Sequence, residues 1–191
     1  MPELIFLAGS SRKASLNKKL AQNAASIADE LGAKAVFIDL ADYPLPLYNG
    51  DDEDSEGVPE NAIKLKEMFT NADGFFIATP EYNSSLTPLL KNTLDWMSRS
   101  HEENEKPLKA YKGKVAALSG TSPGSLGALR GLVALRMMLG NIGVHVTPTQ
   151  TAIAGGQNTF DDEGNLTDEK YLKMLRATVK QLVETAQKLN N

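Results

Sequence analysis

Two rhythms of apolar and polar residues alternate along this chain. Leu4-Ile5-Phe6-Leu7-Ala8 is an unbroken apolar run that reaches Gly9 before a helix could form, which predicts a buried strand. Further strand-like runs cover 35–40, 74–79, 115–118 and 145–153. Between them apolar residues recur at helical spacing. Leu16, Leu20, Ile27, Ala28 and Leu31 share one face of a helix that starts near Ser15 and stops at Gly32. Leu65, Met68, Phe69 and Ala72 form the buried stripe of a second helix, with Pro59 in its first turn. Thr87 reads as an N-cap, with Pro88 opening a helix that runs through Trp96 and Met97. Leu129, Leu132, Val133, Met137 and Met138 lie on the next helix, the two methionines as core filler. Leu172, Leu175, Val179, Leu182 and Val183 mark the buried face of a last helix that starts near Thr167. Strands alternating with helices predict an α/β fold with a parallel sheet covered by helices. With no internal repeat, residues 1–191 read as a single domain.

The connections are less regular. Segment 43–54 is rich in proline and acid, and Asp51 to Asp54 read as a solvated loop tip, because a calcium site needs more regular ligand spacing. The charged segment 99–114 reads as a surface loop with a solvated His101, and His145 reads as structural.

Composition narrows the classes of partner. A net charge of −4 disfavours nucleic acid, which normally meets a basic face. No apolar run has the length of a membrane span and no signal segment is evident, so a cytoplasmic location without a membrane partner is expected. The absence of cysteine removes disulfides, thiolate nucleophiles and cysteine-ligated metal sites. No paired Ser–His stands out for hydrolysis, and no metal is expected.

The densest chemistry follows the first strand. Ser10, Ser11, Arg12, Ser15 and Asn17 crowd one strand-to-helix turn. Such a turn aims backbone N–H groups and the positive end of a helix dipole at one spot, and hydroxyls with a guanidinium add charge-assisted donors for a phosphate. Two other strand exits are unusual: Pro80-Glu81-Tyr82-Asn83-Ser84-Ser85, and the glycine- and hydroxyl-rich Ser119-Gly120-Thr121-Ser122-Pro123-Gly124-Ser125-Leu126-Gly127. In a sheet of order 2-1-3-4-5 these three exits converge on one crevice at the carboxyl ends of the strands. A phosphate at one end and a flat polar ring held among aromatic and backbone groups describe a mononucleotide-like ligand.

The same residues carry a resemblance. Gly9 to Asn17 resembles the first loop of the NADPH-dependent FMN reductases, the flavodoxin-like family that includes quinone, chromate and azo-dye reductases. Thr79-Pro80-Glu81-Tyr82-Asn83, followed by Leu89-Leu90-Lys91-Asn92 and Asp95-Trp96, is similar to that family's second signature. Ser122-Pro123-Gly124-Ser125-Leu126-Gly127 with Arg130 is similar to its third. The resemblance implies a flavodoxin-like three-layer sandwich and a reductase that passes electrons from NADPH or NADH through bound FMN to a quinone-like or other small acceptor. The cycle implied is ping-pong, with no catalytic side chain, because the chemistry belongs largely to the cofactor.

By the same resemblance Ser10, Arg12, Ser15, Leu16 and Asn17 hold the FMN phosphate, with Ser11 in the same turn. Pro80, Glu81, Tyr82 and Asn83 line the ring, and the loop of Ser119, Gly120, Thr121, Ser122 and Gly124 closes over it. A homodimer or homotetramer is implied, with the helix around Trp96 as a contact. The chain departs from the pattern where the family usually has Gly-Ser and then Pro-Gly after the asparagine, and Gly-Gly before Leu-Arg: here stand Ser84-Ser85, Thr87-Pro88 and Gly127-Ala128. The third loop also reads as one residue longer before Ser122. Two other readings remain at this point. One is a non-catalytic flavin carrier or redox sensor with the same pocket. The other is a dinucleotide-binding domain with Asp39 as its ribose-binding acid, although only Gly9 stands where G-x-G-x-x-G is required.

Overall fold

The computed structural model describes residues 1–189. Strands β1 (Glu3–Ala8), β2 (Lys34–Ile38), β3 (Gly74–Ala78), β4 (Val115–Thr121) and β5 (His145–Ile153) form one sheet of order β2-β1-β3-β4-β5. Every neighbouring pair is parallel. Helices α1 (Leu16–Glu30), α2 (Gly50–Glu56), α3 (Glu60–Asn71), α4 (Pro88–Met97), α5 (Leu129–Asn141) and α6 (Glu169–Leu189) make the connections and the final segment. This is the helix-covered parallel sheet that the alternation predicts and the flavodoxin-like sandwich that the resemblance implies.

The side-chain period of two along the central strands builds two cores. Leu4, Phe6, Phe76 and Ala117 face α1 and α6 on one side of the sheet. Ile5, Leu7, Phe75, Ile77 and Leu118 face α3, α4 and α5 on the other. β1, β3 and β4 are buried throughout, apart from the partly exposed Glu3 at the start of β1, so they read as continuous apolar runs. The sheet packs tightly enough that a Cβ on Gly74 would lie 2.6 Å from the Val115 carbonyl oxygen.

Several elements differ from the sequence expectation. β2 ends at Ile38, and Asp39 instead caps a short 3₁₀ turn by accepting from the Ala41 N–H at 2.9 Å. The acidic tip at 51–54 is helical: Asn49 caps α2, whose first turn carries Asp51, Asp52 and Glu53 at the positive end of the helix dipole. Pro59 is the N-cap of α3 and not its first helical residue. Segment 99–114 is more than a surface loop. It buries Ala110 and Tyr111, and the Tyr111 hydroxyl donates to the Leu94 carbonyl at 2.7 Å. Its Glu105 carboxylate pairs with the fully buried Lys66 of α3, and His101 lies against the same carboxylate at 3.0 Å, its side chain only 10% exposed. His101 is therefore part of a buried charge cluster. Lys66 also donates to the Arg99 carbonyl, so the ammonium is surrounded by acceptors, as a buried charge requires.

Three helix faces also turned out narrower than expected. Met68 and Leu172 are exposed, and on α5 the buried residues are Gly131, Leu132, Leu135 and Leu139. Leu129, Val133 and Met137 point outward, Met137 at 67% exposure, so it is not core filler. Trp96 is buried within its own chain, its indole N–H donating to the Pro46 carbonyl at 2.8 Å. It is not available to a neighbouring subunit.

Candidate functional site

The order of the strands puts the exits of β1, β3, β4 and β5 side by side at one end of the sheet. A cavity of about 410 Å³ opens there. Its floor is the turn between β1 and α1. Ser15 caps α1, its hydroxyl accepting from the Lys18 N–H at 3.3 Å, which leaves the first-turn N–H groups of Leu16 and Asn17 without intrahelical acceptors. Ser10 lies 6% exposed with its hydroxyl taking the Arg12 N–H, and the Arg12 side chain stands exposed at the rim. Gly9 is required here, because a Cβ would lie 2.7 Å from Thr79 Oγ1 and 3.2 Å from Thr87 Oγ1. Thr87 Oγ1 itself donates to the Gly9 carbonyl at 2.7 Å and caps α4, so one hydroxyl joins the first turn to the β3 exit.

Asn17 is 4% exposed and its amide forms a reciprocal pair with Thr121, Nδ2 donating to the carbonyl and Oδ1 accepting from the N–H, both at 3.0 Å. This stitches α1 to the end of β4 and leaves one Nδ2 hydrogen for the cavity.

The second wall is Pro80, Glu81 and Tyr82. Tyr82 and Ser85 exchange backbone hydrogen bonds at 3.0 and 3.1 Å across a tight turn, with Asn83 at φ 51° and Ser84 at φ 68°. Two left-handed central residues define a type I′ turn. The turn carries the Tyr82 ring outward, 49% exposed at the mouth of the cavity. Glu81 turns the other way. Its carboxylate accepts from the Arg130 and Gly131 N–H groups at 2.9 and 3.3 Å and from Arg130 Nε at 2.6 Å. It thereby caps α5 from a distant loop, which α5 needs because Ala128, at its N-cap position, offers no side-chain acceptor. Desolvation pushes the Glu81 carboxyl upward, but the Arg130 side chain and the two backbone N–H groups outweigh it and hold the carboxyl below its usual range.

The third wall is Thr121, Ser122 and Pro123, with Gln157 from the β5 exit. β4 runs to Thr121, so the apparent extra residue before Ser122 is strand. Ser119 is wholly buried with its hydroxyl donating to the Thr151 carbonyl at 2.7 Å, and Thr121 Oγ1 donates to the Ile153 carbonyl at 3.0 Å. Gly120 sits where a Cβ would meet the Thr79 carbonyl oxygen at 2.6 Å.

Ten of the residues expected at the site therefore line this cavity: Ser10, Arg12, Ser15, Leu16, Asn17, Pro80, Glu81, Tyr82, Thr121 and Ser122. Five lie outside the lining. Ser11 is exposed with its carbonyl bound by Lys18, Asn83 is at the exposed turn tip, Ser119 and Gly120 are inside the sheet, and Gly124 lines a smaller neighbouring cleft with Glu81 and Arg130. Pro123 lies within the loop expected to close over the ring, while Ala14 and Gln157 were not anticipated. The position of β5 beside β4 was the signal for Gln157, since its exit opens at the same end of the sheet. Asp39 is not free to take a ribose, because its carboxylate is held by Lys18 at 2.6 Å and by the Ala41 N–H.

The NADPH-dependent FMN reductase family profile matches residues 2–159. Among similar proteins, an NAD(P)H-dependent FMN reductase of Pseudomonas aeruginosa is 33% identical over 182 residues, 94% of this chain and 92% of that one. A 2-hydroxy-1,4-benzoquinone reductase of Burkholderia sp. is 35% identical over 181 residues, 91% of this chain and 90% of its own. Among solved structures, FerB, a flavoenzyme NAD(P)H:(acceptor) oxidoreductase from Paracoccus denitrificans, superimposes with a TM-score of 0.82 at 32% identity, covering 98% of each chain.

Proposed function

Because this chain belongs to the NADPH-dependent FMN reductase family, we propose that the cavity at the sheet's carboxyl end holds FMN and that residues 1–191 act as one FMN-binding domain. The protein is an oxidoreductase that uses NAD(P)H and FMN. Its acceptor is a quinone-like or other small molecule, and donor and acceptor use one face of the flavin in turn, a ping-pong cycle. The observation that carries the reading is the convergence of a hydroxyl- and arginine-bearing helix N-terminus with the β3 and β4 exits around a single 410 Å³ cavity.

The donors fit the cofactor's two ends. Ser10, Ser15, Arg12 and the free first-turn N–H groups of α1 suit a phosphate dianion. Pro80 and Tyr82 on one side, and Thr121 to Pro123 on the other, suit a flat ring system. FMN supplies the hydride chemistry when bound. The chain positions it, and Glu81 holds the β3 exit against α5 so that the wall carrying Tyr82 does not drift.

The same reading includes a homodimer or homotetramer in the cytoplasm, where its NAD(P)H donor is found. Leu126, Leu129, Val133 and Met137 form an exposed apolar ridge along α5, beside the cleft of Glu81 and Arg130, and this ridge supports association with a second copy.

A visible spectrum tests the reading. Apoprotein titrated with FMN should yield bound flavin bands that bleach on addition of NADPH under argon and return with a benzoquinone. If FMN is bound but never bleached, the protein is a flavin carrier or sensor. If FMN does not bind at saturation, the phosphate assignment fails.

A further inference from the structure

Lys18 stands in the first turn of α1, where its charge opposes the positive end of the helix dipole and no acidic residue of that turn offsets it. Nor is it solvated: its side chain is 11% exposed. Its ammonium donates to Asp39 Oδ2 at 2.6 Å and to the Ser11 carbonyl at 3.3 Å, while its backbone N–H donates to Ser15 Oγ. One residue thus grips the phosphate turn at both ends. Within that turn, the only other bonds are the Arg12 N–H to Ser10 Oγ at 3.4 Å and the Ser15 N–H to the Arg12 carbonyl at 3.2 Å. The residues between, Ser11 to Ala14, are exposed. Asp39 is in turn anchored by the Ala41 N–H beyond β2, so the brace runs from the edge of the sheet into the turn.

We propose that Lys18, held by Asp39, is a positioning residue for FMN. It sets the backbone of the phosphate turn through the Ser11 carbonyl, so that the turn's own donors are aimed at the phosphate, which Lys18 does not touch. This rests on the reading of the cavity as an FMN site. A cation at this end of a helix dipole is unfavourable by itself, and the Asp39 carboxylate offsets it, so the ion pair fixes the turn while adding little net charge.

The test compares FMN with riboflavin, which lacks the phosphate, by quenching of flavin fluorescence on titration with apoprotein. The wild-type ratio of affinities comes first: if FMN and riboflavin bind equally, the phosphate reading of the turn falls, and with it this proposal. Given a wild-type preference for FMN, Lys18→Met should weaken FMN about 10-fold or more and change riboflavin by less than about 2-fold. Asp39→Asn, which keeps the ammonium but frees it, should give a smaller loss, again confined to FMN. Equal losses on both ligands would reduce Lys18 to a structural brace, and no loss would remove its role; either result overturns the proposal. If Lys18→Met does not fold by circular dichroism, Lys18→Arg and Asp39→Asn carry the comparison. Lys18→Arg should retain most of the FMN preference, and an Asp39→Asn variant with an unchanged ratio would overturn the assignment.

Discussion

Ser84 holds φ at 68° in the second central position of a type I′ turn, a conformation that a side chain makes costly and glycine adopts freely. It is exposed, so its side chain adds little packing to offset that cost. Ser84→Gly should therefore stabilise the fold by about 0.5–1 kcal/mol, a rise of roughly 1–4 °C in Tm, read by differential scanning calorimetry. An unchanged or lower Tm would mean that the turn is not I′. Ala128 is the other departure from the family's glycines, and it too is left-handed, at φ 70°. There the balance differs, because its methyl is buried with 1% exposure and packs against the β4 backbone at Gly120. These two departures, unlike Thr87-Pro88, fall on left-handed backbone positions, which sequence alone marked as unusual residues without revealing the dihedral angles behind them.

Among the elements, the strands and the starts of α1 and α4 were legible because their signals are local: an apolar run, a serine or threonine cap, a proline at the first helical position. What was not legible depends on partners far along the chain. Which face of α5 is buried, that of Leu132, Leu135 and Leu139 and not that of Val133 and Met137, is set by packing against the sheet, and the burial of Lys66 by a glutamate 39 residues away. Glu81 belongs to the same class. It lines the cavity as expected, but its carboxylate also caps α5, and this makes a prediction at the level of the element. Its folded carboxyl titrates below its usual value of 4.5, burial raising it and the α5 hydrogen bonds with Arg130 lowering it further. A depressed carboxyl stabilises the fold above its unfolded pKa and loses that contribution as pH falls through the folded one. Wild type should therefore melt above Glu81→Gln at pH 7, and the gap should shrink as pH falls below the unfolded value of 4.5. Thermal melts between pH 7 and pH 3.5 check it, and a gap independent of pH would show that the charge contributes nothing to the cap.

For the molecule as a whole, the distribution of exposed apolar surface is uneven. Leu129, Val133 and Met137 lie about one helical turn apart on the outer face of α5, Leu126 is exposed in the loop before it, and Tyr82 projects from the β3 exit. Scattered exposed leucines need no explanation, but exposed apolar residues aligned along one helix do. The buried residues of α5, Leu132, Leu135 and Leu139, already secure the helix to the sheet, so the outer ridge adds nothing to the monomer. An isologous contact along such a ridge would bring α5 of one copy against α5 of the other, and a charge at its centre would then face its own image. Met137→Lys should therefore shift the protein toward monomer in light scattering coupled to size exclusion, while changing the Tm of the separated monomer by little, since a 67% exposed side chain contributes little to folding. A second charge, Val133→Glu, tests the same face independently, because glutamates repel across the two-fold axis as lysines do. Combining one Met137→Lys chain with one Val133→Glu chain should restore association, a result that general loss of solubility or of folding could not produce. If both single variants keep the wild-type mass, the ridge on α5 is not a contact between copies, and the protein is a monomer or associates through another face.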